Sequence, residues 1–400
     1  MPESHPSNWL RQPWKTASAF ATTPLGTFLI IATLSILAFN LLIPVGTGPD
    51  ESRHIFRVAG LCSGQILPIH FGFFDGIPLW GGKIPLPFAR ALAVSAQPIA
   101  PDWAYNHFYA QVPFGSEVTK QWLEFSNTVV YSPVPYLPAI LGYSVAALFG
   151  MNVLGTIVLM RICAGLFYIT TIGLVIRLLP SPGLKWLTAV IALFPAGLFE
   201  ASIVTADTVT NTVLIVFSAC LAAAVFGTKP AARPLLVTLL ISAVMLGTVK
   251  PTYAPLAVLV LGVQQIRIWL RLATMAMTVG IAGVWYAVSN VATSGMGLMR
   301  QGDDRFHVVS SLQLSGILHD PVNYLRVLFH TTVLYGNEWL AQSVGQMGYF
   351  SRGGLAASVV TFIVACGALL LAARRLRPDT DRLWVCLLYT SDAADDMQCV

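Results

Sequence analysis

The fold is decided by residues 26–57, which read GTFLIIATLSILAFNLLIPVGTGPDESRHIFR. The first part, from Gly26 to Val45, is an apolar run of about twenty residues, which is the length of helix that crosses the hydrocarbon core of a bilayer. A polar cluster that extends from Asp50 to His54 follows at once. This order predicts a membrane-spanning helix that brings charged residues to a membrane surface.

The composition of the whole chain supports this prediction. Of its 400 residues, 56% are hydrophobic and 10% are charged, against about 45–50% and about 25% in soluble domains, and the mean hydropathy is +0.70. A soluble fold of this length needs far more surface charge, which excludes a cytoplasmic enzyme and a disordered scaffold. The net charge of +5 is too small to indicate a nucleic-acid partner. We therefore predict an all-α polytopic integral membrane protein.

Further apolar runs of spanning or nearly spanning length follow the first. With it they cover about 26–45, 154–176, 184–203, 207–227, 234–249, 252–263, 272–292 and 353–373. The run 252–263 is too short for a straight span, so with 234–249 it predicts two short helices broken at Lys250-Pro251. A ninth run, 136–150, contains Pro138 and is ambiguous.

Basic residues decide the ambiguous run, because short loops rich in Lys and Arg stay in the cytoplasm. The basic segments alternate correctly with the spans only if 136–150 does not cross, so we predict that it lies in the outer interface. The same count places the N-terminus in the cytoplasm. The segments are Arg11 and Lys15, Arg177 and Lys185, Lys229 and Arg233, Arg267 and Arg271, and Arg374 to Arg382.

The predicted organisation has three parts: a cytoplasmic segment 1–25, a multi-span membrane domain 26–385 and a tail 386–400. The tail resembles translated sequencing-adapter read-through, so we expect it to be non-native. Two long extracytoplasmic loops, about 46–153 and 293–352, carry most of the acidic residues, and loops of this length are usually functional. The proline-rich stretch Ile77–Pro87 is expected to be loop.

The first candidate site is the run Pro49-Asp50-Glu51-Ser52-Arg53-His54, with Arg57 one turn later. Pro49 can open a helix, and the two acids then lie where the helix dipole favours anions. Asp50 and His54 share a helical face, as do Arg53 and Arg57. One turn thus offers a base or metal ligand beside cations suited to phosphate. A helix-capping cluster at a membrane surface is the alternative.

The second candidate site is the turn between the runs 184–203 and 207–227, which carries Glu200, Asp207 and Asn211. Ionisable groups beside a bilayer are costly unless they are used or solvated. The alternative is an N-cap, in which Thr205 or Asp207 satisfies free N–H groups.

Two cations lie in apolar surroundings, Arg161 within a span and Lys250 at the helix break. Broken helices at membrane depth occur where they line a cavity, so Lys250 is a candidate to meet a lipid phosphate. An internal ion pair is the alternative. The histidines and acids of the second long loop match no recognised metal motif, and a Gly-rich phosphate loop is absent.

Five separated motifs carry a resemblance. They are Pro49-Asp50-Glu51 with His54 and Arg57, Tyr131-Ser132-Pro133-Val134-Pro135-Tyr136-Leu137-Pro138, Thr205-Ala206-Asp207 with Asn211, Lys250-Pro251-Thr252-Tyr253, and Gly345-Gln346-Met347-Gly348-Tyr349. Over about residues 30–375 this pattern resembles a bacterial family of predicted membrane proteins, the domain-of-unknown-function 2142 family. Two departures are Ala139, where Gln is expected, and Phe350-Ser351-Arg352 after the last motif.

That family is similar to GT-C glycosyltransferases, which implies a GT-C-like helix bundle with two long extracytoplasmic loops. The resemblance implies catalytic roles for Asp50, Glu51 and Asp207, and it implies a sugar donor carried on polyprenyl phosphate. Whether a divalent metal binds Asp50 and Glu51 stays open. Substrate-binding roles are expected for Arg53, His54, Arg57, Arg161, Glu200, Asn211, Lys250 and Tyr253.

The favoured prediction is a glycosyltransferase of the bacterial inner membrane that acts on an envelope glycan or protein acceptor. It requires Asp50, Asp207 and Lys250 to converge on one cavity. One alternative is a transporter or flippase for lipid-linked or polysaccharide cargo, which the broken helix and the cations at membrane depth favour. The other is a non-catalytic envelope assembly protein.

Overall fold

The computed structural model describes residues 20–74, 77–93, 119–227, 230–301, 310–347 and 350–351. Most of the expected cytoplasmic segment, the apolar run 353–373 and the tail 386–400 lie outside the described residues. Within these ranges the chain is mostly helical, as the composition predicts, with one small sheet and one short β-hairpin.

The helices of the first half are α1 (Pro24–Leu42), α2 (Glu51–Cys62), α3 (Leu86–Ala93), α4 (Ser126–Val129), α5 (Leu137–Leu148), α6 (Val153–Leu178), α7 (Pro182–Ala192) and α8 (Pro195–Glu200). The second half has α9 (Asp207–Phe226), α10 (Arg233–Val249), α11 (Ile268–Gln301), α12 (Ser310–His319) and α13 (Pro321–Gly345). Two 3-10 helices cover Val134–Tyr136 and Pro251–Gly262. The strands are β1 (Ile69–Phe74), β2 (Ile77–Pro85), β3 (Lys120–Glu124), β4 (Gln346–Met347) and β5 (Phe350–Ser351).

Four described helices are long and apolar enough to cross a membrane: α1, α6, α9 and residues 268–289 of α11. They coincide with four of the runs expected to span. Helix α10, with 17 residues, is shorter, and α5 is also below spanning length. That 136–150 lies in the outer interface stays a prediction.

The run 184–203 is interrupted, which its hydropathy alone does not predict. Helix α7 ends at Ala192 and α8 begins at Pro195, whose ring removes a backbone N–H and stops the first helix. The run 234–263 is broken at the predicted place. Lys250 is extended, with φ −156° and ψ 110°, and a 3-10 helix begins at Pro251.

Two buried cores divide the protein into a bundle and a cap. The first is made by α1, α6, α7, α9 and α10, with apolar side chains such as Phe28 and Phe217. The second lies among α2, β2, α3, α5 and the start of α6, around Phe88 and Phe125. The polar residues of interest lie between the two cores, where α1 ends and α9 begins.

Helix α6 joins the two cores because it projects past the end of α1. Arg161, its ninth residue, donates a hydrogen bond of 2.8 Å to the carbonyl of Ile43, which directly follows α1. The eight residues before Arg161, about 12 Å of helix, therefore extend beyond α1. Helix α5 packs on this part: a Cβ at Gly142 would lie 2.7 Å from the backbone of Met160. The glycine thus permits the close approach of α5 to α6.

The cap contains a three-stranded antiparallel sheet in the order β1-β2-β3, which corrects the all-α expectation. The stretch Ile77–Pro87 was expected to be loop, yet most of it forms the central strand. Its prolines interfere little because Pro78 and Pro85 lie near the two strand ends. Gly81 is required by a close approach, since a Cβ there would lie 1.9 Å from the carbonyl oxygen of Leu123.

Candidate functional site

The site begins at the turn between α1 and α2, where Asp50 holds an unusual backbone conformation. Its φ of 52° is left-handed, and no other non-glycine residue in the described ranges has a positive φ. Such a conformation costs about 1–3 kcal/mol. The Asp50 carbonyl accepts hydrogen bonds from the amides of Arg53 (2.8 Å) and His54 (3.0 Å). The exposed side chain makes no capping hydrogen bond, so its carboxylate faces solvent.

The adjacent acid, Glu51, has the opposite environment. Its side chain and that of Arg161 are both fully buried, and Arg161 binds it bidentately through Nε–Oε1 and Nη2–Oε2 contacts of 2.7 Å each. The amides of Gly46, Gly48 and Val204 donate to the same carboxylate at 2.9, 3.2 and 3.1 Å. This is the internal ion pair that the sequence left open as the alternative for Arg161. Neither group offers an exposed atom to a substrate.

The same network joins the two acidic motifs in space. The Val204 amide that bonds Glu51 belongs to the turn before α9, and a Cβ at Gly48 would lie 2.7 Å from the side chain of Ile203. The hydroxyl of Thr205 accepts a hydrogen bond of 3.2 Å from the amide of Asp207, so Thr205 serves the start of α9. The Asp207 carboxylate remains available for other contacts.

Asp207 contacts the cation at the helix break. Lys250 Nζ lies 3.6 Å from Asp207 Oδ1, and both side chains are about one-third exposed. The ammonium group also lies 5.8 Å from the ring centre of Tyr131 and 6.0 Å from that of Tyr253. A partly exposed cation beside aromatic rings is held in place while one side stays accessible.

Asp50, Asp207 and Lys250 each affect the pKa of the same side chain, that of Tyr131. Burial raises the pKa of its phenol, and the charges of Asp207 and Asp50 raise it further, while Lys250 acts in the opposite direction. Asp50, Asp207 and Lys250 therefore all lie within electrostatic range of one ring. We use the name acidic cleft for the neighbourhood of these four residues. Tyr131 was quoted as part of a motif but was not predicted to be a site residue.

His54 is buried beneath the cleft. Its Nδ1 is joined to the Tyr136 hydroxyl at 2.7 Å and its Nε2 lies 3.5 Å from the hydroxyl of Thr205. Burial, with a smaller contribution from Lys250, lowers the pKa of His54 to about 3. The imidazole is thus neutral at physiological pH and links α2 to the turn before α9, and its 5% exposure leaves little surface for a ligand.

The two arginines of α2 are engaged with the cap. Arg53 forms an ion pair of 2.9 Å with Glu124 and also donates to the carbonyl of that residue. Arg57 is 1% exposed and donates to the carbonyls of Gln65, Ile66 and Tyr131 at 2.9–3.1 Å. Burial lowers the pKa of Arg57 to about 10. Arg57 therefore fastens the backbone of Tyr131 rather than presenting a cation to solvent.

The remaining candidates are Glu200 and Asn211, on the two sides of the turn that leads into α9. Glu200 ends α8, is partly exposed, and lies within electrostatic range of Asp207, Glu51 and Lys250. Asn211 lies one helical turn after Asp207 and is partly exposed. The structure thus brings Asp50, Asp207 and Lys250 together with Tyr131, Tyr253 and Glu200. The other predicted charged residues are engaged in the ion pairs and hydrogen bonds described above; they are Glu51, Arg53, Arg57 and Arg161.

The sequence left open whether a divalent metal binds Asp50 and Glu51. The residues of the site do not fit such a metal. Both oxygens of Glu51 are bonded to Arg161 and to backbone amides, so only Asp50 of the pair is free. Among the residues that the structure describes, no three His, Cys, Asp or Glu side chains are grouped as metal ligands.

The fold and the site define a helical membrane protein with a group of charged residues where α1 ends and α9 begins. The chain belongs to a family of predicted membrane proteins: residues 33–391 match the model described as "Predicted membrane protein (DUF2142)". No curated protein and no solved structure shows a significant match.

Proposed function

We propose that the protein is a membrane glycosyltransferase that takes a sugar from a polyprenyl-phosphate donor. The observation that carries this proposal is the acidic cleft, in which an exposed carboxylate on a fixed turn and an accessible lysine both lie within electrostatic range of Tyr131. A transfer of this kind needs a base for the acceptor and a cation for the leaving phosphate. Asp50 and Lys250 meet these two needs.

The reaction assigns one step to each residue. The acceptor hydroxyl oxygen attacks the anomeric carbon and its proton passes to the carboxylate of Asp50. The bond between that carbon and the phosphate oxygen breaks with inversion, and its electron pair leaves with the polyprenyl phosphate. General-base assistance of this kind is typically worth about 10²–10⁴-fold.

Lys250 would receive the leaving phosphate. In the structure its charge is shared with Asp207 at 3.6 Å, a contact longer than a good charge-assisted hydrogen bond of about 2.7–2.9 Å. A phosphate oxygen that carries a full charge can therefore compete for the ammonium group. Asp207 would then orient Lys250 and the sugar, together with Asn211 and Glu200 at the cleft edge.

The cellular setting is part of the proposal. The alternation of basic segments supports a multi-pass protein of the bacterial inner membrane with a cytoplasmic N-terminus. The acidic cleft, at the far end of α1, then faces the extracytoplasmic side, where an envelope glycan or protein is the acceptor. Glu51 and Arg161 would act as structural supports of the cleft rather than as groups that touch substrate.

The test is Asp50→Asn in membranes supplied with lipid-linked sugar. Asn tolerates a left-handed φ, so the substitution removes the base and retains the turn. We expect transfer to fall by at least about 10²-fold. The matched control is Glu338→Gln, which makes the same carboxylate-to-amide change on the exposed helix α13 and should retain full transfer. Full transfer by Asp50→Asn would exclude Asp50 as the base.

A transporter is the second candidate because of the break at Lys250, where a 12-residue 3-10 helix with an internal proline continues the segment. Such discontinuous segments hold substrates in transporters. Purified protein in liposomes distinguishes the two functions: movement of a labelled prenyl-linked sugar between leaflets without its consumption would favour the transporter. A non-catalytic assembly role predicts neither movement nor consumption.

A further inference from the structure

An apolar groove opens on the flank of the bundle below the acidic cleft. Its volume is about 500 Å³, and its lining comes from α5, α6, α9 and α10 with Val134, including Leu141, Leu166, Thr170, Val209 and Met245. Leu141 and Leu166 are 59% and 54% exposed, so the groove is open towards the surroundings of the bundle. We name it the α5–α6 groove.

The walls of the α5–α6 groove lead to the residues of the cleft. Val209 lies about 3 Å along α9 from Asp207, on a different face of the same helix. Met245 lies in the last turns of α10, which ends immediately before Lys250. Val134 begins the 3-10 helix three residues after Tyr131. Three of its walls are therefore formed by the segments that carry Asp207, Lys250 and Tyr131, and the Lys250 ammonium group can neutralise an anionic head group.

A second apolar groove, of about 510 Å³, lies on the other side of Val134, between the Ser132–Val134 segment and helices α10 and α11. Its lining residues nearest in sequence to Tyr131 and Lys250 are Ser132 and Thr248, and the Ser132 hydroxyl donates a hydrogen bond of 2.5 Å to the carbonyl of Thr248. This bond joins the Ser132–Val134 segment to α10. The α5–α6 groove is preferred because its lining includes α9, the helix that carries Asp207, whereas the described residues that line the second groove include none from α9.

We propose that the α5–α6 groove holds the hydrocarbon chain of a prenyl phosphate whose head group meets Lys250. This inference rests on the proposed function, and it names the place and the chemistry by which the donor is bound. A chain that enters sideways from the bilayer would lie on α6 and α5 and bring its phosphate to the cleft. The apolar lining selects a hydrocarbon and the Lys250 ammonium group selects its anionic end.

The experiment measures binding of a prenyl monophosphate with a photoreactive group in its chain to the full-length protein in nanodiscs. Leu166→Trp fills the α5–α6 groove. Leu174→Trp is the matched control, because Leu174 lies on the same helix, is 55% exposed and does not line the groove. We expect at least tenfold weaker binding for Leu166→Trp, no change for Leu174→Trp, and crosslinks to peptides of α5 and α6 in the unmodified protein.

Further variants test the groove and the head group separately. Gly280→Trp fills the second groove, where Gly280 has open space around it, and should leave binding unchanged. Lys250→Met should reduce binding of the prenyl phosphate to that of the uncharged prenol. Loss of binding by Gly280→Trp with retention by Leu166→Trp would overturn the proposal, as would equal competition by phosphatidic acid. If this pattern holds but the unmodified protein transfers no sugar, the transferase fails and the groove assignment stands.

Discussion

The buried pair of Glu51 and Arg161 gives the sharpest test of how the site is held. We predict that Arg161→Met strongly destabilises the protein, because it leaves a buried carboxylate without its cation. The substitution also removes the donors to the carbonyls of Ile43 and Pro44, at 2.8 and 3.0 Å. Breaking a buried ion pair by removing one partner costs about 3–5 kcal/mol, which is a large part of a typical folding free energy of about 5–15 kcal/mol.

A double variant, in which both residues of the buried pair are replaced, adds a second measurement. Once Arg161 is replaced, Glu51→Gln removes the uncompensated charge, so Glu51→Gln/Arg161→Met should lose less stability than the sum of the two single variants. The amides of Gly46, Gly48 and Val204 can still donate to the Gln side-chain oxygen. The coupling free energy of the cycle reports the pair itself.

The assay is equilibrium unfolding in mild detergent followed by tryptophan fluorescence. Arg53→Met is the matched control, because Arg53 pairs with Glu124 in a contact whose side chains are 40% and 27% exposed. Exposed pairs contribute about 0–1 kcal/mol, so this control should unfold close to the unmodified protein. If Arg161→Met is no more destabilised than Arg53→Met but has lost prenyl-phosphate binding, Arg161 binds the phosphate and the structural assignment is refuted.

Three further predictions concern the backbone and pH. His54 has a pKa of about 3 in the folded protein against 6.5 unfolded, so its contribution to stability is complete above pH 6.5 and is lost as the pH falls towards 3, by about 5 kcal/mol in all. His54→Gln should flatten this loss in thermal unfolding between pH 3 and 7. Gly142→Ala should destabilise the protein through its contact with α6, whereas Gly280→Ala, in open space, should be neutral or stabilising by up to about 1 kcal/mol in the same assay. Asp50→Gly should raise the free energy of unfolding by about 1 kcal/mol by relieving the positive φ, while sugar transfer in membranes is lost.

The sequence predicts those features that depend on neighbouring residues. Apolar runs long enough to span give α1, α6, α9 and α11, because helix formation and hydrophobicity are local properties. The break at Lys250-Pro251 follows equally directly, since proline removes a backbone donor and restricts the residue before it.

Features that depend on distant contacts could not be predicted. Glu51 and Arg161 are 110 positions apart, and each has a charge that suits a substrate as well as a partner. The strand β2 carries turn-forming residues, and only its pairing with β1 and β3 makes those residues compatible with a sheet. Tyr131 could have been found from its motif, which places a tyrosine before two prolines, but the motif alone does not bring it near Lys250.

Asp50 is exposed and Glu51 is buried, and this difference explains how two adjacent acids can both occupy this turn. Because α2 begins at Glu51, the first helical residue points into the protein and binds Arg161, while the preceding residue is left outside with a left-handed φ. The strain at Asp50 persists only because the next residue is fixed by five hydrogen bonds from Arg161 and three amides. The buried acid thus holds the exposed one in position, which is how a rigid support fixes a reactive group. It follows that weakening the Glu51–Arg161 pair should release the backbone of Asp50 before it unfolds the bundle.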